Sequence, residues 1–204
     1  MNTRYLVIAG PIGVGKSTLT ARLHHDAGFE PLFETPEHNP YLHEFYQTGQ
    51  RAFETQLSFL TQRLHQGRQV QNWLATGRAV VQDRSIDEDS LIFTQYHYRQ
   101  GLIDERDYQT YMQLYQAMLP FLPQPDCVIC LSAPVNVLQE RIHERGRPDE
   151  QSLATSYLAE LNDLYQAWIH SETPIPIYEL DTSLLNPDEV FARVCDFTQA
   201  RSLV

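Results

Sequence analysis

The chain has 204 residues, 42% of them apolar, which suits one domain with a sizeable core. Its net charge of −11 argues against a general binder of nucleic acid or anionic membranes, because phosphate-rich surfaces attract basic protein faces. We see no signal peptide and no apolar run long enough to span a membrane, so we expect a cytoplasmic protein.

Strands and helices alternate along the sequence. Apolar, β-rich runs predict five strands, at residues 5–9, 30–34, 79–83, 126–132 and 175–180. Helical spacing and turn residues predict a helix starting near Lys16 and further helices at residues 40–46, 51–75, 90–98, 104–119, 135–144, 152–170 and 187–200. The alternation predicts an α/β fold in which a five-stranded parallel sheet carries helices on both faces, and ligands lie beyond the carboxyl ends of the strands.

Cys127 and Cys130 have the C-x-x-C spacing, but no second pair completes a zinc site. Residues three apart in a strand face opposite sides, so these thiols cannot converge on one metal. We interpret them as buried structural thiols in a reducing compartment, and we assign none of the eight histidines to a metal.

Residues 10–18 read GPIGVGKST and fit the phosphate-loop pattern G-x-x-x-x-G-K-[ST] between a strand and a helix. Such a loop turns main-chain N–H groups toward a phosphate, next to the positive end of the helix. We expect Lys16, the only lysine of the sequence, to reach the β- and γ-phosphates of ATP, and the Ser17 hydroxyl to ligate Mg²⁺. The predicted nucleotide-binding residues of this loop are Gly10, Pro11, Ile12, Gly13, Val14, Gly15, Lys16, Ser17 and Thr18. The loop places the predicted fold in the three-layer P-loop NTPase type.

Charged residues follow two further strands. Asp83 ends the third strand, where proteins with this loop hold Mg²⁺ directly or through water, and Arg84 follows it. Glu34 ends the second strand and could accept a proton from an acceptor hydroxyl, although a helix-capping or solvated Glu fits the sequence as well. Arg84 could hold the acceptor hydroxyl region or neutralise charge on the transferred group.

Three arginines form a basic cluster in this acidic chain, at Arg141, Arg145 and Arg147. Phosphoryl transfer spreads charge over three oxygens in its transition state, so arginines are the expected stabilisers. We interpret residues 141–150 as a lid that carries them and excludes water. The alternative is a solvated helix end paired with nearby carboxylates.

These segments together resemble the deoxynucleoside kinases, nearer the bacterial deoxyadenosine kinases than the animal enzymes. The matching segments are residues 10–18, 34–42, 53–56, 83–85, Asp89, and 141–150. The resemblance covers nearly the whole chain and implies one kinase domain over residues 1–204. It also implies ATP-dependent phosphorylation of a deoxynucleoside 5′-hydroxyl, with deoxyadenosine as the expected acceptor and deoxyguanosine and deoxycytidine as further candidates. A homodimer is implied by the same resemblance.

The resemblance also implies roles for individual residues. Asp83 takes the place of an acid that serves as base or as Mg²⁺ partner. The implied substrate contacts are Glu34 and Arg84 at the 5′-hydroxyl, Tyr46 and Glu150 at the 3′-hydroxyl, Gln56 and Phe93 at the base, and Asp89, which tunes base choice. The catalytic set is then Lys16, Glu34, Asp83, Arg84, Arg141, Arg145 and Arg147, of which Arg141 and Arg145 also contact ATP.

Two other functions compete with this interpretation. A thymidylate-type nucleoside monophosphate kinase must hold an acceptor phosphate, for which a basic residue near Glu34 would serve; the neighbours here are Phe33 and Thr35. A nucleotide-binding regulator without a phosphoryl acceptor would not need Gln56, Asp89 and the arginine lid together.

Overall fold

The computed structural model describes residues 5–200, so the expectation about a signal peptide lies outside the described residues. Within that range five strands form one sheet in the order β2-β3-β1-β4-β5, and every neighbouring pair is parallel. The strands are β1 (Tyr5–Ala9), β2 (Glu30–Leu32), β3 (Val80–Asp83), β4 (Cys127–Ser132) and β5 (Ile177–Asp181). The predicted five-stranded parallel sheet is confirmed.

Helices connect successive strands. They are α1 (Lys16–Ala27), α2 (Leu42–Thr48), α3 (Ala52–Ala75), α4 (Ile86–Glu88), α5 (Gln95–Arg99), α6 (Glu105–Met118), α7 (Val135–Arg145), α8 (Thr155–Ile169) and α9 (Pro187–Ala200). A π-helical segment, Asp89–Thr94, joins α4 to α5. Among the helices of residues 5–200, none is long and apolar enough to cross a membrane.

The core lies on both sides of the central strand β1, whose residues are all buried. A parallel strand covered by helices on both faces contacts apolar side chains on each side, which explains its unbroken apolar sequence. Cys127 and Cys130 are both buried in β4, as expected of structural thiols. A second cluster, made of Leu60, Tyr111, Tyr115 and Met118, packs α3 against α6.

Two element boundaries differ from the prediction in ways that affect the site. β2 ends at Leu32, so Glu34 lies in the following loop and not in the strand. The helix predicted at residues 90–98 begins earlier, at Ile86, because Ser85 and Glu88 form a reciprocal capping box. Asp83 is therefore followed almost at once by a helix, which fixes the direction of the chain after β3.

The strand order brings the predicted site residues together. β1 lies beside β3, and β3 lies beside β2, so the carboxyl ends of all three meet at one edge of the sheet. Gly10 and Glu34 come after the ends of β1 and β2, and Asp83 is the last residue of β3.

Candidate active site

The phosphate loop packs against two neighbouring elements through its glycines. Gly10 and Gly13 have φ angles of 135° and 84°, a region that favours glycine. A Cβ at Gly10 would lie 2.3 Å from the carbonyl oxygen of Leu131, and one at Gly13 would lie 2.9 Å from that of Leu138. The loop is therefore held between β4 and α7, and its shape depends on both glycines.

Lys16 is folded over this loop and is only 7% exposed. Its Nζ donates to the carbonyl oxygens of Gly10, at 2.9 Å, and of Pro11, at 3.0 Å. Burial, together with the nearby charge of Arg84, lowers the pKa of Lys16. An ammonium group has three donors, so one remains to meet a phosphate oxygen after these two bonds.

Asp83 and Ser17 meet at the carboxyl end of β3. The Ser17 hydroxyl donates to Asp83 Oδ2 at 2.6 Å, while Asp83 Oδ1 is buried with no hydrogen-bond partner in the described part of the chain. A hydroxyl and a carboxylate next to a phosphate loop are the oxygen ligands that Mg²⁺ prefers. This pair of residues fits the predicted Mg²⁺ site.

Two buried arginines surround Glu34. Its Oε1 lies 2.9 Å from Arg84 Nε and 3.4 Å from Arg63 Nη2. Burial alone would raise the pKa of Glu34, but Arg84 and Arg63 override it and bring that pKa to about 2. Glu34 is therefore ionised at neutral pH, and its side chain, which is 21% exposed, is held by the two arginines.

Arg84 has an unusual backbone for a non-glycine residue, with φ at +70°. Its N–H donates to the carbonyl oxygen of Ile8 at 2.9 Å, which ties it to β1. Its guanidinium carbon lies 4.4 Å from the centroid of the Phe93 ring. Strained backbone of this kind concentrates at functional sites, and here it turns Arg84 toward Glu34.

Arg63 is a site residue that the sequence interpretation missed. Its Nε donates to Asp89 Oδ2 at 2.8 Å, and both side chains are buried. Arg63 lies on α3 two helical turns after Gln56, so the two residues lie on the same face of that helix. That spacing is the signal that could have identified it.

The acceptor cavity lies beside the phosphate loop. Its wall includes Glu34, Tyr46, Gln56, Asp89, Phe93, His97 and Glu150. The Thr94 hydroxyl donates to the carbonyl oxygen of Asp89 at 2.7 Å and lies 3.3 Å from Oε1 of Gln56, the predicted base-reading residue. Neither nitrogen of the buried His97 ring has a hydrogen-bond partner among the described residues. Thr94 and His97 were not predicted.

The three lid arginines divide into two groups. Arg145 and Arg147 both pair with Glu150, the predicted contact of the 3′-hydroxyl. Arg141 instead donates to the Thr182 hydroxyl at 2.9 Å and to the Thr182 carbonyl oxygen at 2.7 Å. The interpretation as one cluster therefore needs a refinement, because Arg141 is fixed to the loop after β5.

A second cavity, the donor cavity, lies on the other side of the phosphate loop, with a volume of about 480 Å³. Its wall includes Gly15, Thr18, Arg141, Thr182, Leu185 and Val190. The two cavities share five wall residues: Gly13, Lys16, Ser17, Arg145 and Arg147. A group held by these residues is in reach of both cavities.

Comparison with known proteins places this site in a family context. The family model described as deoxynucleoside kinase matches residues 6–201. The deoxyadenosine/deoxycytidine kinase of Bacillus subtilis (strain 168) is 36% identical over 197 residues, which are 94% of this chain and 89% of that protein. The deoxyadenosine kinase of Dictyostelium discoideum is 33% identical over 91% of this chain and 76% of its own length.

A solved structure agrees with these matches. Deoxyadenosine kinase from M. mycoides with bound dCTP superposes with a TM-score of 0.83 at 27% identity, over 96% of this chain and 99% of that one. The same enzyme with bound dATP matches equally well, with a TM-score of 0.83. The likeness therefore covers nearly the full length of both chains.

Proposed function

The chain belongs to the deoxynucleoside kinase family, and from that premise we propose that its preferred acceptor is deoxyadenosine. It is a kinase whose family activity is the ATP-dependent phosphorylation of deoxynucleosides. The similarity to deoxyadenosine kinases supports this choice, and deoxyguanosine and deoxycytidine stay further candidates. The base end of the acceptor cavity supports all three over thymidine. Gln56 offers a donor and an acceptor there, and the Asp89 carboxylate accepts from an exocyclic amino group, which thymine lacks.

The residues that line both cavities indicate where ATP and the deoxynucleoside bind. We place the triphosphate of ATP along the phosphate loop and the deoxynucleoside in the acceptor cavity. The γ-phosphate then lies among Lys16, Arg145 and Arg147, which line both cavities. These cations stabilise the charge that develops on the transferred group. Arg141, fixed by Thr182, contacts the nucleotide of the donor.

Glu34 and Arg84 act on the acceptor hydroxyl. Glu34 is ionised and accepts a hydrogen bond from the 5′-hydroxyl, which orients it toward the γ-phosphate and receives its proton. Arg84 holds Glu34 in place through their 2.9 Å ion pair. Because the transition state is loose, orientation of the hydroxyl matters more than the strength of the base. Tyr46 and Glu150 contact the 3′-hydroxyl, and Phe93 packs on the base.

We assign Mg²⁺ to Ser17 and Asp83. The support is the buried Asp83 Oδ1, which has no hydrogen-bond partner among the described residues, and the 2.6 Å bond from Ser17 to the other carboxylate oxygen. Mg²⁺ held by these two residues would neutralise part of the charge of the phosphate groups.

We further propose that residues 1–204 form one kinase domain that works in the cytoplasm. The single sheet and the main hydrophobic core around it support a single unit over the described residues. The homodimer stays a prediction; exposed apolar side chains such as Leu114 on α6 and Phe121 just after it are 41% and 70% exposed and would be covered by a partner.

One assay separates this function from its two rivals. The enzyme is incubated with γ-labelled ATP and each deoxynucleoside, each deoxynucleoside monophosphate, or no acceptor. We expect label in deoxynucleoside monophosphates, with the highest kcat/KM for deoxyadenosine. Purine deoxyriboside, which lacks the exocyclic amino group, should lose about 10- to 100-fold in kcat/KM, because a buried acceptor is left unpaired. Label found only with monophosphate acceptors, or only in free phosphate, would contradict the proposal.

A further inference from the structure

Glu88 is a fully buried carboxylate that the mechanism above does not use. It lies one helical turn after Arg84, and its two oxygens have different partners. Oε2 accepts from the N–H of Ser85 at 3.0 Å, and Oε1 accepts from the N–H of Gly10 at 3.1 Å. One carboxylate thus connects the segment after β3 to the first residue of the phosphate loop.

Tyr165 of α8 joins the same contact. Its hydroxyl lies 2.8 Å from Glu88 Oε1 and 2.9 Å from the carbonyl oxygen of Gly10, and it accepts from Arg84 Nη1 at 3.2 Å. Arg84 Nη1 itself lies 3.7 Å from Glu88 Oε1. The acceptor-side arginine and the donor-side loop therefore share two buried groups.

Helix capping does not account for a charge at this position. The capping box of Ser85 needs a single side-chain oxygen at residue 88, which glutamine supplies as well as glutamate. A buried carboxylate costs free energy unless charges and hydrogen bonds compensate it. Burial raises the pKa of Glu88, and the charges of Arg84 and Lys16, which both belong to the site, offset part of that effect.

We propose that Glu88, with Tyr165, is a positioning residue that fixes the phosphate loop relative to Arg84. The inference rests on the proposed function, because it concerns the alignment of the γ-phosphate with the acceptor hydroxyl. Both main-chain polar groups of Gly10 are hydrogen-bonded. Its N–H donates to Glu88, and its carbonyl oxygen accepts from Lys16 and Tyr165. A shift of about 1 Å in such an alignment can cost about 100-fold in rate.

The test is Glu88→Gln, which keeps the size and the capping oxygen but replaces one acceptor oxygen with a donor. For deoxyadenosine we expect kcat to fall about 100-fold, while KM for ATP and for deoxyadenosine change less than about threefold. ATP hydrolysed per deoxynucleoside phosphorylated should rise about tenfold, since water then competes with a misaligned acceptor. Tyr165→Phe, which removes one hydroxyl, should show the same pattern with a fall of about 10-fold in kcat.

The neighbouring residue offers a matched control. Tyr115 donates to Asp87 Oδ1 at 2.7 Å, a tyrosine–carboxylate pair one residue away that lines neither cavity of the site. Asp87→Asn and Tyr115→Phe should lower the melting temperature but leave kcat and the ratio of hydrolysis to transfer unchanged. A purely structural role of Glu88 predicts the same behaviour for Glu88→Gln.

Wild-type kcat and an unchanged ratio in folded Glu88→Gln would overturn the inference. If that variant does not fold, Tyr165→Phe decides the question by the same two measurements. If the wild type phosphorylates deoxynucleosides and these variants behave like it, the inference about Glu88 and Tyr165 is wrong and the proposed function still stands. A wild type that phosphorylates no deoxynucleoside sinks the proposed function, and this inference with it.

Discussion

Glu34 lies beside two positively charged side chains, those of Arg63 and Arg84. Two buried arginines contact one of its oxygens, and they keep its pKa at about 2 although burial opposes ionisation. A carboxylate with so low a pKa is a weak base. Its main contribution is then to orient the acceptor hydroxyl, which suits a loose phosphoryl-transfer transition state.

Glu34→Gln should lower kcat by about 100-fold, because an amide neither takes the proton nor compensates Arg84 and Arg63. The Kd of ATP should stay within about threefold of the wild-type value, since the phosphate loop is untouched. Steady-state kinetics and equilibrium titration with ATP measure the two effects.

Glu30→Gln is the matched control for this change. Glu30 lies four residues earlier, begins β2 and pairs with Arg78 at 3.0 Å, away from both cavities. Its variant should keep wild-type kinetics. A wild-type kcat for Glu34→Gln would remove Glu34 from the mechanism.

Residues inside motifs were predictable from the sequence, and their buried partners were not. Lys16 and Asp83 follow strands in recognisable patterns, so their positions at the sheet edge could be inferred. Arg63 and Glu88 lie on helices among many similar charged residues. The spacing from Gln56 points to the helix face of Arg63, but the burial of Arg63 against Asp89 and of Glu88 against Gly10 is known only from the three-dimensional packing.

At the scale of elements, the predicted order was correct and several ends were not. Strand propensity continues through Phe33, yet β2 pairs with β3 only as far as Leu32, because pairing depends on the neighbouring strand. The π-helical segment Asp89–Thr94 also has no signature in apolar spacing. It brings Asp89 and Phe93 to the wall of the acceptor cavity.

The contact between the phosphate loop and α7 depends on Gly13. Gly13→Ala would place a Cβ 2.9 Å from the Leu138 carbonyl oxygen, at a backbone φ of +84°. Because a carbonyl oxygen of a helix cannot move aside freely, the loop must shift. We expect kcat/KM for ATP to fall at least about 10-fold, measured at saturating deoxyadenosine.

Gly28 provides the comparison for this change, because it ends α1 with a similar φ of +74° and has no atom near its Cβ position. Gly28→Ala should lower the free energy of unfolding by about 1 kcal/mol and leave the kinetics unchanged. Equal kinetic effects in both variants would show that backbone strain, and not the contact with α7, is responsible.

At the scale of the whole molecule, the fold class could be inferred because buried parallel strands are uninterrupted apolar runs. The sheet order β2-β3-β1-β4-β5 could not, since apolar spacing identifies strands without identifying their neighbours. That order sets which strand ends meet. The sequence therefore predicted the site residues, but the distances between them became known only from the structure.

His97 and Glu34 both make the fold less stable in acid, in contrast to Asp87, Glu88 and Asp89, whose pKa values are raised by burial. Burial lowers the pKa of His97 from 6.5 to about 4, so between these values the unfolded chain binds a proton that the folded chain does not. The pKa of Glu34 is also lower in the folded state, at about 2 against 4.5. Both groups make the free energy of unfolding fall as the pH falls, His97 from below 6.5 and Glu34 from below 4.5.

Comparison of the wild type with a His97 variant isolates the contribution of His97, because the other titratable groups are present in both proteins. Between pH 7.5 and pH 5, one histidine with this pKa difference should lower the free energy of unfolding by about 2 kcal/mol. His97→Phe keeps a ring against Phe45, whose centroid lies 4.8 Å away, and removes the titration. Urea unfolding at the two pH values should therefore show a loss about 2 kcal/mol smaller in this variant than in the wild type.

His65→Phe, on the exposed side of α3, should retain the wild-type loss. If His97→Phe loses as much stability as the wild type, the acid sensitivity of the fold comes from groups other than His97.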